Sequence, residues 1–151
     1  MLIRAAVPED IPQIMKLARQ SQTAAHWSER EYDAPFVPEG PKRVALIAAP
    51  EKRQDSAVGF LIALCASEDW EIENVVVDPG WRRRGVGALL LRELLSRARQ
   101  QGAASLLLEV RESNIAAREL YKKMHFSEES RRPRYYRDPE EDALLLRLAL
   151  E

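Results

Sequence analysis

The segment from Trp70 to Val110 constrains this chain more than any other. It opens with a β-rich run, "WEIENVVVDP", and turns through "WRRRGVGA". From about Gly85 to Gln101 it then shows a helical pattern, stops at Gly102 and ends in "SLLLEV". Apolar residues at three- and four-residue spacing mark a helix, and β-branched runs bounded by turn residues mark strands. Glycine just past the periodic run is a good helix stop. Strand, helix and strand in this order form a crossover unit, which belongs in a mixed α/β fold.

The rest of the chain fits around that unit. "LIRAA" reads as a short first strand. "PEDIPQIMKLARQ" carries Ile11, Ile14, Met15 and Ala18 on one helical face. "SEREY" has Ser28 and Glu31 at capping-box spacing and opens a second short helix. "APFVPEGP" is a loop, while "RVALIAA" and "AVGFLIALC" form a hairpin around "PEKRQDS". "SNIAARELYKKM" is a helix with Ser113 as its N-cap, and "RYYRD" and "DALLLRLAL" are two final strands. The expected order is β-α-α-β-β-β-α-β-α-β-β. With 151 residues, no repeat and no linker, it is read as one domain over 1–151.

Composition removes several classes. Charged residues make up 31% and hydrophobic ones 46%, as in a globular protein. The single cysteine, Cys65, rules out an internal disulfide framework and suits a reducing compartment. No apolar run approaches the roughly 20 residues of a membrane helix, and "MLIRAAVPED" is not a signal peptide. The expectation is a cytoplasmic protein without a membrane partner. A net charge of -1 gives no global field for nucleic acid, so any anion site must be local. Histidine and cysteine show no ligand spacing, so no metal is expected.

The arginine–glycine turn is the candidate anion site. A helix start leaves backbone N–H groups unpaired and carries partial positive charge, and glycine lets backbone approach a ligand. A phosphate or pyrophosphate fits such a turn. The P-loop is excluded, because Gly87 is followed by Ala88 and Leu89 rather than Lys-Ser/Thr. The dinucleotide fingerprint is excluded too, because its third glycine would fall at Leu90. The plain alternative is a solvated basic turn whose glycines only reverse the chain.

Other residues stand out by type and place. Glu109 follows a run of leucines and shares a strand face with Leu107 and Arg111. It is either a site carboxylate or a solvated strand end paired to Arg111 or another arginine. Asn114 and Tyr121 lie about two helical turns apart and share a face; Tyr121 could equally be half-buried against the sheet. Glu71, Glu73, Val75 and Val77 alternate onto one face, and the plain reading of both glutamates is a solvated edge. "RRPRYYRD" mixes basic and aromatic residues, suited either to nucleic-acid stacking or to a polar hairpin.

"RRRGVGA" resembles the Gln/Arg-x-x-Gly-x-Gly/Ala pyrophosphate motif of the GCN5-related N-acetyltransferases (GNAT), with Arg82, Gly85 and Gly87 in the defining places. "NVVVDP" before it and "LLLEVRESNIAARELYKKMHF" after it resemble the RimI-type, ribosomal-protein-alanine branch, and "HWSEREY" and "VGFLI" agree more weakly. The resemblance implies a GNAT fold: a mixed, mostly antiparallel sheet of about seven strands, splayed between strands 4 and 5 and flanked by about four helices. It implies acetyl-CoA as donor. Arg83, Arg84, Gly85, Val86, Gly87 and Ala88 would hold its pyrophosphate, the Val75, Val76 and Val77 backbone its pantetheine, and Asn114 would hydrogen-bond to it.

Acetyl transfer needs an amine that has lost its proton, donors for an oxyanion and a proton for the departing thiolate. The resemblance makes Glu109 the general base, through water, and Tyr121 the general acid; many acetyltransferases outside this branch place their base on the fourth strand, which makes Glu73 the rival of Glu109. It sets Trp27, Tyr135 and Tyr136 beside the acceptor, in the region of "HWSE" (His26 to Glu29) and the last hairpin. The implied acceptor is a protein N-terminus, the alanine of the eighteenth small-subunit ribosomal protein. Other amines (a lysine, a polyamine, a small molecule) and an acetyl-CoA-binding regulatory module are the alternatives. One departure from the family pattern is "MHF", with His125 where glycine usually ends the tyrosine helix.

Overall fold

The computed structural model describes residues 1–21 and 27–150, so His26 lies outside the described residues. Its elements are β1 (Leu2–Ala5), α1 (Ile11–Arg19), α2 (Glu29–Asp33), β2 (Arg43–Ala49), β3 (Gly59–Ala66), β4 (Asp69–Val77), α3 (Val86–Gln100), β5 (Ser105–Arg111), α4 (Ile115–Lys123), β6 (Ser127–Tyr136) and β7 (Glu141–Ala149). Apart from short 3₁₀ turns, this is the order read from the sequence. The expected capping box opens α2: Ser28 Oγ accepts from the Glu31 N–H while Glu31 Oε1 accepts from the Ser28 N–H. Gly102 leaves α3 with φ 79°, and His125 leaves α4 with φ 73°, the left-handed conformation expected at the usual glycine position.

The strands form one sheet in the order β1-β2-β3-β4-β5-β7-β6. Neighbours are antiparallel except β4 and β5, the ends of the crossover, which are parallel. α3 lays Leu90, Leu91, Leu94 and Ala98 on one face, against Leu46, Leu61, Leu106 and Leu108. α1 lays Ile11, Ile14 and Leu17 on the other, against Ile47, Phe60 and Ile62. Each such leucine or isoleucine contributes about 1.5–3 kcal/mol of burial. Among the described residues no helix is long and apolar enough to cross a membrane.

Two irregularities at the centre of the sheet shape the site. The β4–β5 pairing runs from Asp69↔Ser105 to Ile72↔Leu108 and stops. Beyond it β4 still pairs with β3, up to Gly59↔Val77, and β5 with β7, up to Arg111↔Ala143. The sheet is therefore splayed between its fourth and fifth strands. The second irregularity is a bulge: Ala63 pairs with Ile72 and Ile62 with Asn74, which leaves Glu73 as the extra residue. A bulge resets the alternation of faces. Trp70 and Ile72 face the α3 core, and so do Val75 and Val77, whereas Val76 packs with α1. This corrects the strict alternation expected from Glu71 to Val77, which put both glutamates on the face of Val75 and Val77.

β6 is longer than the "RYYRD" strand expected. It is exposed for nearly its whole length, and its register against β7 breaks around Glu128/Ser130 and Arg132/Tyr136.

Candidate active site

The arginine–glycine turn links β4 to α3. After β4, Asp78 Oδ1 accepts from the Gly80 N–H at 2.8 Å and closes a 3₁₀ turn over Pro79–Trp81. Arg82 Nε donates to the Val77 carbonyl at 3.3 Å, and the Arg84 guanidinium lies 5.0 Å from the Trp81 ring centre. Arg83 has φ 64° and Gly85 φ 79°. Gly85 is the N-cap of α3 and offers no side chain to cap it. The first helical bond runs from the Leu89 N–H to the Gly85 carbonyl at 3.1 Å. The N–H groups of Val86, Gly87 and Ala88 precede that bond and point out of the helix start, beside three exposed arginines. A pyrophosphate fits this arrangement, and the unpaired β4 edge beyond Ile72 fits the amides of a pantetheine chain.

The two glycines have different reasons. Gly85 needs its left-handed backbone, and a Cβ there would meet nothing within 4 Å. Gly87 needs space: a Cβ would stand 3.1 Å from Leu120 Cδ2 on α4. Gly87 thus lets α3 approach α4, a packing role distinct from chain reversal.

Carboxylates gather on the sheet face opposite α3. Leu106, Leu108 and Val110 point into the α3 core, which turns Glu109 to the other side. Glu109 is one residue past the last β4–β5 pair, at the lip of the gap. Its partner is Arg132 on β6, Nη1 to Oε1 at 3.3 Å. Arg111, one of the partners considered for Glu109, binds Glu141 instead at 3.0 Å. Glu73 is tied to Arg43, Nε to Oε1 at 2.7 Å, with both side chains 18% exposed, so it is no solvated edge. Glu71 is exposed. It is nonetheless held above the usual carboxylate value by the protein around it, then by Glu73 and Glu109, with Arg132 opposing.

Asn74, next to the bulge, is 5% exposed. Its Nδ2 has no hydrogen-bond partner among the described residues. It neighbours Tyr32, whose ring is 5.2 Å from Trp27 and 6.3 Å from Phe60.

Tyr121 lies on the α3 side of the sheet, fully enclosed, its ring 5.5 Å from Phe126. Burial and then Tyr136 push its phenol up to about 12. It stays protonated at any ordinary pH. Glu109 and Tyr121 thus belong to opposite faces of the sheet. Asn114, not Ser113, caps α4: its Oδ1 accepts from the Ala117 N–H at 3.2 Å. Ser113 instead binds Glu141 through its N–H at 3.1 Å and its Oγ at 2.9 Å.

On the last hairpin the Tyr135 and Tyr136 rings meet edge to face, 5.1 Å apart. Tyr136 is pushed up to about 12 by burial first and then by Glu109. Tyr136 in turn contributes to the rise of the Tyr121 phenol. Sequence reading did not single out Arg43, Arg132, Glu141 or Asn74. Arg43 and Glu141 take their roles from partners 30 residues away in the chain, Glu73 and Arg111, and Arg132 takes its role from Glu109, although the arginine–tyrosine composition of β6 was a signal for Arg132. Among the described residues no group of three or more His, Cys, Asp or Glu side chains could hold a metal.

The Acetyltransferase (GNAT) family model matches residues 11–126. The ribosomal protein bS18-alanine N-acetyltransferase of Salmonella typhimurium is 31% identical over 143 residues, 93% of this chain and 92% of that protein. The crystal structure of the ribosomal-protein-S18-alanine N-acetyltransferase from Escherichia coli superposes with a TM-score of 0.81 at 30% identity, covering 99% of this chain and 94% of the other. Ard1 from Thermoplasma volcanium superposes with a TM-score of 0.84 at 27% identity, covering 99% and 97%.

Proposed function

We propose, from the premise that this chain belongs to the acetyltransferase (GNAT) family and is an N-acetyltransferase using acetyl-CoA, that its acceptor is a protein N-terminus, the alanine of ribosomal protein bS18. Similarity to the Salmonella enzyme along nearly the whole of both chains supports this acceptor.

Acetyl-CoA supplies an activated acetyl group on sulfur. The α3 start, with the N–H groups of Val86, Gly87 and Ala88 and the side chains of Arg83 and Arg84, binds its pyrophosphate. The backbone of Val75, Val76 and Val77 and the Nδ2 of Asn114 bind the arm that enters the gap. Glu109 takes a proton from the acceptor amine, through water, as the amine attacks. Tyr121 holds its proton at Oη and gives it to the departing sulfur. A phenol pushed up to about 12 suits a group that must arrive protonated. Trp27, Tyr135 and Tyr136 line the acceptor side.

The observation that carries the reading is the place of Glu109 at the lip of the gap, one residue past the Ile72↔Leu108 pair. Glu73, the rival base, is engaged by Arg43 through both carboxylate oxygens at 2.7 and 3.3 Å.

The test is transfer from labelled acetyl-CoA to a short peptide beginning with alanine, beside the same peptide with a blocked terminus and an internal lysine. Label on the free alanine alone supports the reading. Label on lysine moves the acceptor to side-chain amines. No label on either, with acetyl-CoA bound tightly, sinks the N-terminal acceptor and favours a polyamine, a small-molecule amine or a regulatory module.

A further inference from the structure

Arg111 gathers more of the site than a strand-end arginine needs. It lies on the Glu109 face of β5, two residues on, with its side chain 22% exposed. Its guanidinium carbon stands 4.3 Å from the centre of the Tyr136 ring. Its Nη1 donates to Glu141 Oε1 at 3.0 Å and to the Pro139 carbonyl at 3.3 Å, and its Nη2 to the Arg137 carbonyl at 3.4 Å. One side chain thus grips the hairpin from residue 136 to residue 141. Glu141 carries the connection onward, accepting from the Ser113 N–H and Oγ at the turn before α4.

We propose that Arg111 is a positioning residue for acetyl transfer: it fixes the ring of Tyr136 beside Glu109 and Tyr121, so that the acceptor meets a preformed wall. The proposal rests on the reading that Tyr136 faces the acceptor. The planar guanidinium is the reason for arginine here. It stacks on the ring while its edge donors reach the hairpin carbonyls, and a lysine ammonium can do only part of this. Tyr136 is paired with Glu141 beyond the register shift that separates it from the Arg132↔Ala143 pair, so the continuous ladder does not extend to it. A ring held in one orientation loses less freedom when the acceptor binds.

The experiment compares Arg111→Met and Arg111→Lys in otherwise full-length protein, with Tyr136→Ala and the Arg111→Met/Tyr136→Ala double variant. Arg111→Met is expected to raise the acceptor KM by roughly tenfold, with acetyl-CoA affinity unchanged and Arg111→Lys intermediate. In the Tyr136→Ala background the Arg111→Met effect on KM should vanish. Arg111 effects that persist undiminished without the Tyr136 ring overturn the proposal, as does an unchanged KM in Arg111→Met.

A second arm needs no acceptor. Fluorotyrosine labelling gives resonances for the four tyrosines, and the Tyr136 signal is assigned by Tyr136→Phe. Arg111→Met should shift or broaden that signal and leave Tyr32 in place. A Tyr136 signal that does not move overturns the proposal. Where the wild-type protein leaves the alanine peptide unlabelled, the acceptor reading fails alone and this arm still decides the role of Arg111. Where Arg111→Met fails to fold, Glu141→Gln loosens the same grip and is read in the same way.

Discussion

Arg132 reaches across β7 to place its guanidinium 3.3 Å from Glu109. The two residues sit on β6 and β5, and their register partners on β7 are Ala143 and Leu145. Arg132 is 56% exposed and Glu109 18%. A pair so open to water contributes about 0–1 kcal/mol, so an incoming ammonium can displace the arginine at small cost. Arg132→Ala is therefore expected to leave the melting temperature nearly unchanged. Glu109→Gln should slow turnover by roughly 10²- to 10⁴-fold while acetyl-CoA affinity holds. Titration of acetyl-CoA by calorimetry beside steady-state rates checks both. A fully active Glu109→Gln, with Glu73→Gln inactive, would move the base to β4.

Tyr121 gives a prediction about pH. Burial raises its phenol to about 12, so the neutral form dominates at every pH below that value. Between pH 6 and 10 the rate profile should contain no limb belonging to Tyr121. Tyr121→Phe is then expected to lower kcat across the whole range without moving the acidic limb. A limb that disappears in Tyr121→Phe would show that the tyrosine titrates in the working range.

The glycines of the anion turn should respond differently to alanine. Gly85→Ala forces a side chain into φ 79° with free space around it, a strain of about 1–2 kcal/mol. Gly87→Ala meets the far end of Leu120 at 3.1 Å, which a leucine rotamer can relieve. Gly87→Trp would push α3 from α4, so it would unsettle Tyr121 as well as the pyrophosphate site. Thermal melts with and without acetyl-CoA separate these cases. Gly85→Ala should melt lower in both, whereas Gly87→Trp should also lose the stabilisation that acetyl-CoA gives.

Far from the site, Asp10 anchors the start of α1 to β1. Arg4 donates to its two oxygens at 2.7 and 2.8 Å, and the Val7 N–H donates at 2.8 Å. The Arg4 hydrogen bonds hold its carboxyl below the usual value. A depressed folded-state value adds stability that is present above the unfolded value and is lost as pH falls through the folded one. Asp10→Asn should cost about 2–3 kcal/mol at neutral pH. The gap from wild type should close progressively below about pH 4. Denaturant melts at pH 7 and pH 3 measure it, and a gap that stays constant would refute the ionic account.

The order of strands and helices was legible because each long element carries its own period, from "MKLARQ" in α1 to "LLLRLAL" in β7. The bulge was not. "EIENVVV" alternates smoothly as text, and nothing local says that Glu73 is to be left out of register against Ile62 and Ala63. β6 was read short for a related reason. "SEESRRPRYY" has no apolar face, and it is a strand only because β7 offers it a ladder. In the site, Gly85, Gly87, Glu109 and Tyr121 were visible as residue types in a motif. The contacts that hold them, Leu120 against Gly87 and Arg132 against Glu109, join parts of the chain that only folding brings together. Ser113 and Asn114 are both good caps; Ser113 is engaged by Glu141 on the neighbouring strand, and Asn114 takes the cap.

The seam of four residue pairs between β4 and β5 gives the molecule two half-sheets fastened at one end like the boards of a book. One board carries the anion turn at the end of β4. The other carries Glu109, leads into the helix of Tyr121 and bears the last hairpin. Lengthening or loosening the spine would change the angle at which the boards open, and so the distance between donor and acceptor, without touching any residue that takes part in the chemistry.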